Sequence, residues 1–110
     1  MFQSTPEEFA AANAEEARRA ARRPVAIRAQ LRPPGSDRLM VEVTDLSETG
    51  FQIETVYRLK TGSTVWLAIP TLAPLEAIVA WNRARHYGCR FQRPLYPAVF
   101  DHIVALAARA

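Results

Sequence analysis

The first stretch that could bind a ligand is residues 18–23, which read RRAARR and are rich in cationic groups. The spacing R-x-x-x-R occurs there twice, as Arg18 with Arg22 and as Arg19 with Arg23. Arginines one helical turn apart point the same way, and a guanidinium can donate two parallel hydrogen bonds to a phosphate or stack on a ring. The alternative is a solvated helix end whose charges are balanced by the glutamates that precede it.

The second stretch, residues 45–50, reads DLSETG and supplies complementary groups. An ionised Asp45 only accepts hydrogen bonds, and the Ser47 hydroxyl can bond either a ligand or the turn itself. Gly50 is expected to permit a positive-φ corner and a close approach of the ligand. An Asx-type turn between two strands explains the same residues without a ligand, and the two roles can coexist.

The residues that follow Pro24 predict the scaffold that must hold these two stretches. Apolar and polar side chains alternate with a period of two, which indicates about six short strands. The side chains predicted to face inward are Val25, Ile27, Ala29, Leu31, Leu39, Val41, Val43, Phe51, Ile53, Val65, Leu67, Ile69, Leu75, Ala77, Val79, Trp81, Tyr87, Cys89 and Phe91. Turn residues separate the strands at 33–37, 61–63 and 70–74. This spacing favours a closed or nearly closed antiparallel β-barrel, which leaves no exposed sheet edge.

A helix is predicted on either side of the barrel. Residues 5–23 begin with a threonine, a proline and two acids, which is a typical helix start, and they predict an N-terminal helical arm. After Pro94, apolar residues recur at helical spacing and predict a C-terminal helix across one barrel opening. The expected organisation is an arm over residues 1–17, followed by an all-β domain over residues 18–110. That domain is a six-stranded antiparallel β-barrel with its C-terminal helix.

The remaining conspicuous side chains are assigned to the core or to the surface. Trp66 and Trp81 are expected to pack in the core, and Cys89 is expected to be a small buried apolar residue. Arg90 alternates with apolar neighbours, so it is expected to project outward near the second stretch. The sequence contains no catalytic triad, no zinc-ligand spacing and no glycine-rich phosphate loop. An enzyme is therefore the least expected class, and no metal or cofactor is predicted.

Composition limits the remaining possibilities. The chain has 110 residues and a net charge of +3, which predicts one domain and favours an anionic partner only weakly. No apolar run approaches the roughly 20 residues that cross a membrane, and the N-terminus does not have the pattern of a signal peptide. The single cysteine cannot form an internal disulfide. A cytoplasmic protein without membrane insertion is expected.

Taken together, the arginine run, the D-x-S-x-x-G stretch and the β-rich context resemble the PilZ domain family. The resemblance extends from residue 18 to about residue 108, and it includes the Pro24-Val25 strand start, the strand YGCRF at residues 87–91 and the closing helix. It implies a receptor for the second messenger cyclic di-GMP, a ligand with two guanines and two phosphodiesters. It also implies a single-domain adaptor that catalyses nothing and signals to an unidentified protein effector in trans.

The resemblance implies roles for individual residues. An arginine fork matches the O6 and N7 acceptors of guanine, and a carboxylate can accept from the guanine N1–H and N2–H groups. The implied ligand-binding residues are Arg18, Arg19, Arg22, Arg23, Asp45, Ser47 and Gly50. Either arginine pair fits the motif, and the spacing to Pro24 favours Arg18 with Arg22.

Two other classes of function stay open at this point. The chain could be a PilZ-like protein-interaction module that does not bind cyclic di-GMP. Binding of single-stranded nucleic acid is a weaker alternative, because it needs exposed aromatic rings and these aromatic residues are expected to face inward. Nucleic acid is therefore not an expected partner.

Overall fold

Six strands and one helix form the part of the chain, residues 22–109, that the computed structural model describes. The strands are β1 (Arg23–Arg32), β2 (Leu39–Leu46), β3 (Gly50–Glu54), β4 (Thr64–Ala68), β5 (Leu75–Arg83) and β6 (His86–Phe91), and the helix is α1 (Pro97–Arg109). Neighbouring strands are antiparallel, and the sheet closes into a barrel in the order β1-β2-β3-β6-β5-β4. The predicted six-stranded antiparallel barrel with a C-terminal helix is confirmed.

The barrel closes where β1 meets β4, and this pairing is short. Gln30 lies opposite Ala68, and Arg32 lies opposite Trp66. Two residues beyond β4 the chain reaches Pro70, which has no amide hydrogen to extend the ladder. The pairing of β1 with β2, by contrast, runs along almost the whole of both strands.

The alternating apolar side chains fill the interior of the barrel, as predicted. Leu31, Val43 and Ile53 are fully buried, and most of the other predicted inward residues are buried with them. The rings of Phe51 and Phe91 pack 5.2 Å apart between centroids and are tilted by 44°, which is a favourable geometry for an aromatic pair. The period of two in the sequence therefore identifies the core face of the strands wherever no extra residue interrupts the alternation.

The prediction that both tryptophans pack in the core is wrong. Trp66 lies between the fully buried Val65 and Leu67, so the alternation of β4 directs it to the outer wall. Trp81 is 38% exposed, because the register of β5 with β6 shifts just before it and makes Ala80 an extra residue. One extra residue moves the following side chain to the opposite face of the sheet.

Helix α1 packs on the barrel at the end where the β4–β5 loop lies. Ile103 is fully buried against the core, with Val99 and Phe100 partly buried beside it. His102 Nε2 and Thr71 Oγ1 are hydrogen-bonded at 2.8 Å, which joins the helix to the β4–β5 loop. No helix within residues 22–109 has the length and apolar character needed to cross a membrane.

The loop at residues 55–63 covers the other end of the barrel. The hydroxyl of Tyr87 accepts a hydrogen bond from the Leu59 amide at 3.1 Å and donates one to the Tyr57 carbonyl at 3.3 Å. Leu59 packs against the core. A buried tyrosine therefore fixes the path of this loop.

The N-terminal helix predicted over residues 5–23 is not found in its last two residues. Arg22 has no regular secondary structure, and Arg23 begins β1 opposite Leu46. The physical reason is Pro24, which disfavours the helical conformation in the residue before it. Residues 1–21, including the predicted arm at 1–17, lie outside the described residues.

Candidate functional site

One cleft on the outer wall of the barrel brings together residues from both candidate stretches. The cleft has a volume of about 230 Å³ and lies beside the turn between β2 and β3. Four predicted ligand-binding residues line it: Arg22, Asp45, Ser47 and Gly50. Strands β5 and β6 contribute the opposite side of the cleft through Trp81, Gly88, Cys89 and Arg90.

The turn between β2 and β3 is built around the Ser47 hydroxyl. Ser47 is buried, and its Oγ accepts hydrogen bonds from the amides of Thr49 at 3.2 Å and Gly50 at 3.1 Å. The Ser47 amide donates to the Gly50 carbonyl at 2.9 Å. Of the two roles left open by the sequence, the one observed is the stabilisation of the turn, which is typical of a serine that begins a turn.

Gly50 is required by a close contact and not by its backbone conformation. The expectation of a positive φ at Gly50 is wrong, since its φ lies outside the left-handed region. A Cβ at this position would overlap the carbonyl oxygen of Cys89 and lie 3.3 Å from the Arg90 Cα. The pairing of β3 with β6 therefore excludes any side chain here, because backbone atoms cannot move aside as a flexible side chain can.

Asp45 faces outward because β2 contains an extra residue. The register with β3 shifts between Val43 and Asp45, which makes Thr44 the extra residue. Without this shift Asp45 would share the buried face of Val43. Asp45 is half-buried between Pro24 on β1 and Gln52 on β3. Its carboxylate is thus held at the wall of the cleft, where it can accept hydrogen bonds.

The predicted arginines are divided between the cleft, β1 and the part of the chain outside the described residues. Arg22 lines the cleft, whereas Arg23 is an exposed residue of β1 that does not line it. Arg18 and Arg19 lie outside the described residues. Arg90 projects outward from β6 into the same cleft, as its alternation with buried neighbours predicts.

Trp81 is the residue of the cleft that the sequence interpretation missed. Its indole lies directly on the backbone of Gly88, where a Cβ would overlap the ring. Gly88 is opposite Trp81 in the β5–β6 register, and a glycine in a strand often marks a close approach of another group. That glycine was the available signal for an outward, stacked tryptophan.

The prediction that Cys89 is buried is confirmed, although the residue also contributes to the cleft wall. Burial raises the pKa of its thiol to about 12 from the ordinary value of 9.0. The thiol is therefore protonated at neutral pH, which is unsuitable for a nucleophile. Within residues 22–109, no cluster of histidine, cysteine and carboxylate side chains could hold a metal ion.

The comparison with known families gives a match that covers most of the chain. Residues 16–109 match the family model of the PilZ domain. This chain belongs to the PilZ domain family. The resemblance inferred from the arginine run and the D-x-S-x-x-G stretch is thereby confirmed. The family is known for binding cyclic di-GMP, and PilZ domains are binding or adaptor domains rather than enzymes. A search of curated proteins gave no match.

In this PilZ domain the β2–β3 turn is bonded to the segment that leads into α1. The Leu95 amide donates to the Glu48 carbonyl at 2.7 Å, and the Phe91 amide donates to the Thr49 carbonyl at 2.9 Å. Leu95 is buried two residues before α1 begins. A displacement of the turn would therefore be transmitted to the backbone just before α1.

Proposed function

We propose that this PilZ domain binds cyclic di-GMP in the cleft between Arg22 and the β2–β3 turn. The observation that supports this most strongly is the convergence of Arg22, Asp45, Trp81 and Arg90 on one cleft. Guanidinium groups suit a phosphodiester and the O6/N7 edge of guanine, a carboxylate suits the guanine N–H groups, and an indole suits stacking on a base. Cyclic di-GMP has two guanines and two phosphodiesters, so it offers a binding partner to each of these groups.

The size of the cleft supports a division of the ligand between the barrel and the preceding segment. A volume of about 230 Å³ is below the ~300–1,000 Å³ typical of small-molecule sites. We therefore assign one guanine and a neighbouring phosphate to the cleft, and we assign contacts with the rest of the ligand to Arg18 in the preceding segment. The position of Arg22 favours the register Arg18 with Arg22, because Arg22 lines the cleft and Arg23, a residue of β1, does not.

The proposed output is a change in the surface around α1 that a protein effector reads in trans. This idea is supported by the hydrogen bonds from Leu95 to Glu48 and from Phe91 to Thr49, which couple the proposed ligand turn to the start of the helix. The domain would receive and relay a signal without catalysis and without a cofactor. The cytoplasm is the proposed location, since the single cysteine is free and buried.

A calorimetric titration with cyclic di-GMP tests the proposal. Arg22→Ala and Asp45→Ala should each weaken binding by ~1–3 kcal/mol, the scale of a bidentate contact to a base. Matched controls are Arg28→Ala and Asp37→Ala, which remove the same charges from exposed positions away from the cleft. The controls should bind like the unaltered protein.

The same titration separates the receptor from the alternative interaction module. Absence of heat at micromolar protein would favour a PilZ domain that interacts with proteins without cyclic di-GMP. Heat that is unchanged in both Arg22→Ala and Asp45→Ala would place the ligand elsewhere on the barrel and would contradict the proposed site.

A further inference from the structure

The two ends of the barrel differ in charge. At the end away from α1, the loops at residues 33–38, 55–63 and 84–85 carry four cations and one acid, namely Arg38, Arg58, Lys60, Arg85 and Asp37. At the end near α1, the loops at residues 47–49, 69–74 and 92–96 carry one cation and one acid, Arg93 and Glu48. We call the first of these two ends the basic end. Its excess of positive charge comes from three separate loops and surrounds the mouth of the barrel.

The basic end also presents two exposed apolar side chains on a fixed loop. Val56 is 72% exposed and Tyr57 is 49% exposed. The Thr55 amide donates to the Arg85 carbonyl at 3.0 Å, and the Tyr57 amide donates to the Thr55 hydroxyl at 3.2 Å. The Tyr87 hydroxyl donates to the Tyr57 carbonyl from inside the barrel. These hydrogen bonds fix the backbone on either side of Val56, so the loop presents Val56 and Tyr57 at a defined place on the basic end.

We propose that the basic end docks this domain onto the surface of an anionic membrane. Cationic side chains gain favourable free energy near anionic headgroups, and neighbouring apolar side chains add to this by entering the boundary between headgroups and acyl chains. Val56 and Tyr57 would make the apolar contact, while Arg58 and Arg85 on the same joined loops would contact the headgroups. This is attachment to a surface by loop tips and involves no membrane-spanning segment.

The arrangement of the cations favours a flat partner over an acidic peptide. The cations lie on three separate loops at one end of the barrel, so a broad planar anionic surface can contact all three loops together. An extended peptide would follow only one path across this end. The cleft with Arg22 and Asp45 lies on the wall of the barrel, so docking at the basic end leaves it accessible. Docking at the basic end is thus independent of cyclic di-GMP binding in the cleft.

Co-sedimentation with lipid vesicles tests the docking. The probes are vesicles of phosphatidylcholine alone and vesicles with an equal amount of phosphatidylglycerol. The protein should bind only the second kind, and binding should weaken as salt is added, because salt screens exposed charges. The double variant Arg58→Gln/Arg85→Gln should bind these vesicles roughly 30-fold more weakly, since each arginine near the surface contributes a few-fold. The variant Val56→Ser/Tyr57→Ser should bind these vesicles about 10-fold more weakly, which is the scale of burying part of two apolar side chains.

The chain offers matched controls away from the basic end. Arg28→Gln/Arg93→Gln removes the same charge from other positions, and Tyr96→Ser removes an exposed tyrosine near α1. Both should bind vesicles like the unaltered protein, and every variant should keep its circular dichroism spectrum. Failure of the unaltered protein to bind anionic vesicles at low salt, or equal losses in the control pair, would overturn the docking. Calorimetry with cyclic di-GMP on the same variants reports the ligand site separately.

Discussion

The two tryptophans of the chain both lie on the outer wall of the barrel, but their surroundings differ. The indole of Trp81 lies on Gly88 and lines the cleft. The ring of Trp66 is covered by Arg32, whose guanidinium carbon lies 4.8 Å from the ring centroid. A cation of the same chain thus occupies the face of Trp66, whereas Trp81 retains a side that borders open space. An outward tryptophan is available to a ligand only where the protein leaves one of its faces uncovered.

The largest expected difference between the two tryptophans is in ligand affinity. Trp81→Ala should weaken cyclic di-GMP binding by ~1–3 kcal/mol, because stacking of a base on an aromatic side chain contributes that much. Trp66→Ala should leave the affinity unchanged, since Arg32 already covers the ring. Isothermal titration calorimetry on the two variants measures the contrast. Equal losses of affinity in Trp81→Ala and Trp66→Ala would contradict the stacking of a base on Trp81 in the cleft.

A smaller effect is expected from the support beneath Trp81. In Gly88→Ala the added methyl group would overlap the indole, so the ring must leave its place on β6. We expect a loss of affinity of ~1 kcal/mol, toward the lower end of the range for stacking. Emission of Trp81, measured in a Trp66→Phe background, should shift to longer wavelength as the ring moves into water.

A double-mutant cycle provides the control for that effect. Combining Gly88→Ala with Trp81→Ala should give no further loss, because the ring that the methyl group displaces is already absent. Additive losses would show that Gly88→Ala damages the cleft by another route.

The smallest expected effect concerns the covered tryptophan. Arg32→Ala should lower the free energy of unfolding by ~0.5–1 kcal/mol, the size of an exposed cation–π interaction. Chemical denaturation measures this loss, which should disappear in a Trp66→Ala background. If Arg32→Ala instead strengthened the binding of cyclic di-GMP, uncovering Trp66 would have created a second stacking face, and the contrast between the two tryptophans would be conditional on Arg32.

The sequence predicts the barrel well because its strands alternate strictly, and it fails where one residue interrupts the alternation. Val65 and Leu67 identify the inner face of β4 without ambiguity, and that same phase should have placed Trp66 outside. Trp81 was a harder case, because the extra residue Ala80 changes the phase and no period in the sequence marks it. Gly88 is the one hint in the sequence, and it becomes informative only once the pairing of β5 with β6 places it opposite Trp81.

For the candidate site too, the sequence predicts residue types but not the contacts that depend on distant strands. The residue types at Arg22 and Asp45 could be identified from the motif because their chemistry is local. The reason for Gly50 could not, since it depends on the carbonyl of Cys89, which lies 39 positions farther along the sequence and is brought close only by the pairing of β3 with β6. Arg90 is an intermediate case, because its alternation with buried neighbours predicts an outward side chain and the pairing of β6 with β3 brings it to the cleft.

The short ladder between β1 and β4 has a mechanical consequence. A closed barrel opens first between the two strands with the shortest pairing, which here are β1 and β4. Their pairing ends at Ala68, two residues before Pro70. Breathing motions should therefore begin beside Ala68, while the long β1–β2 ladder stays intact as a hinge. Helix α1 is hydrogen-bonded to the adjoining β4–β5 loop through His102, so it opposes separation of β1 from β4.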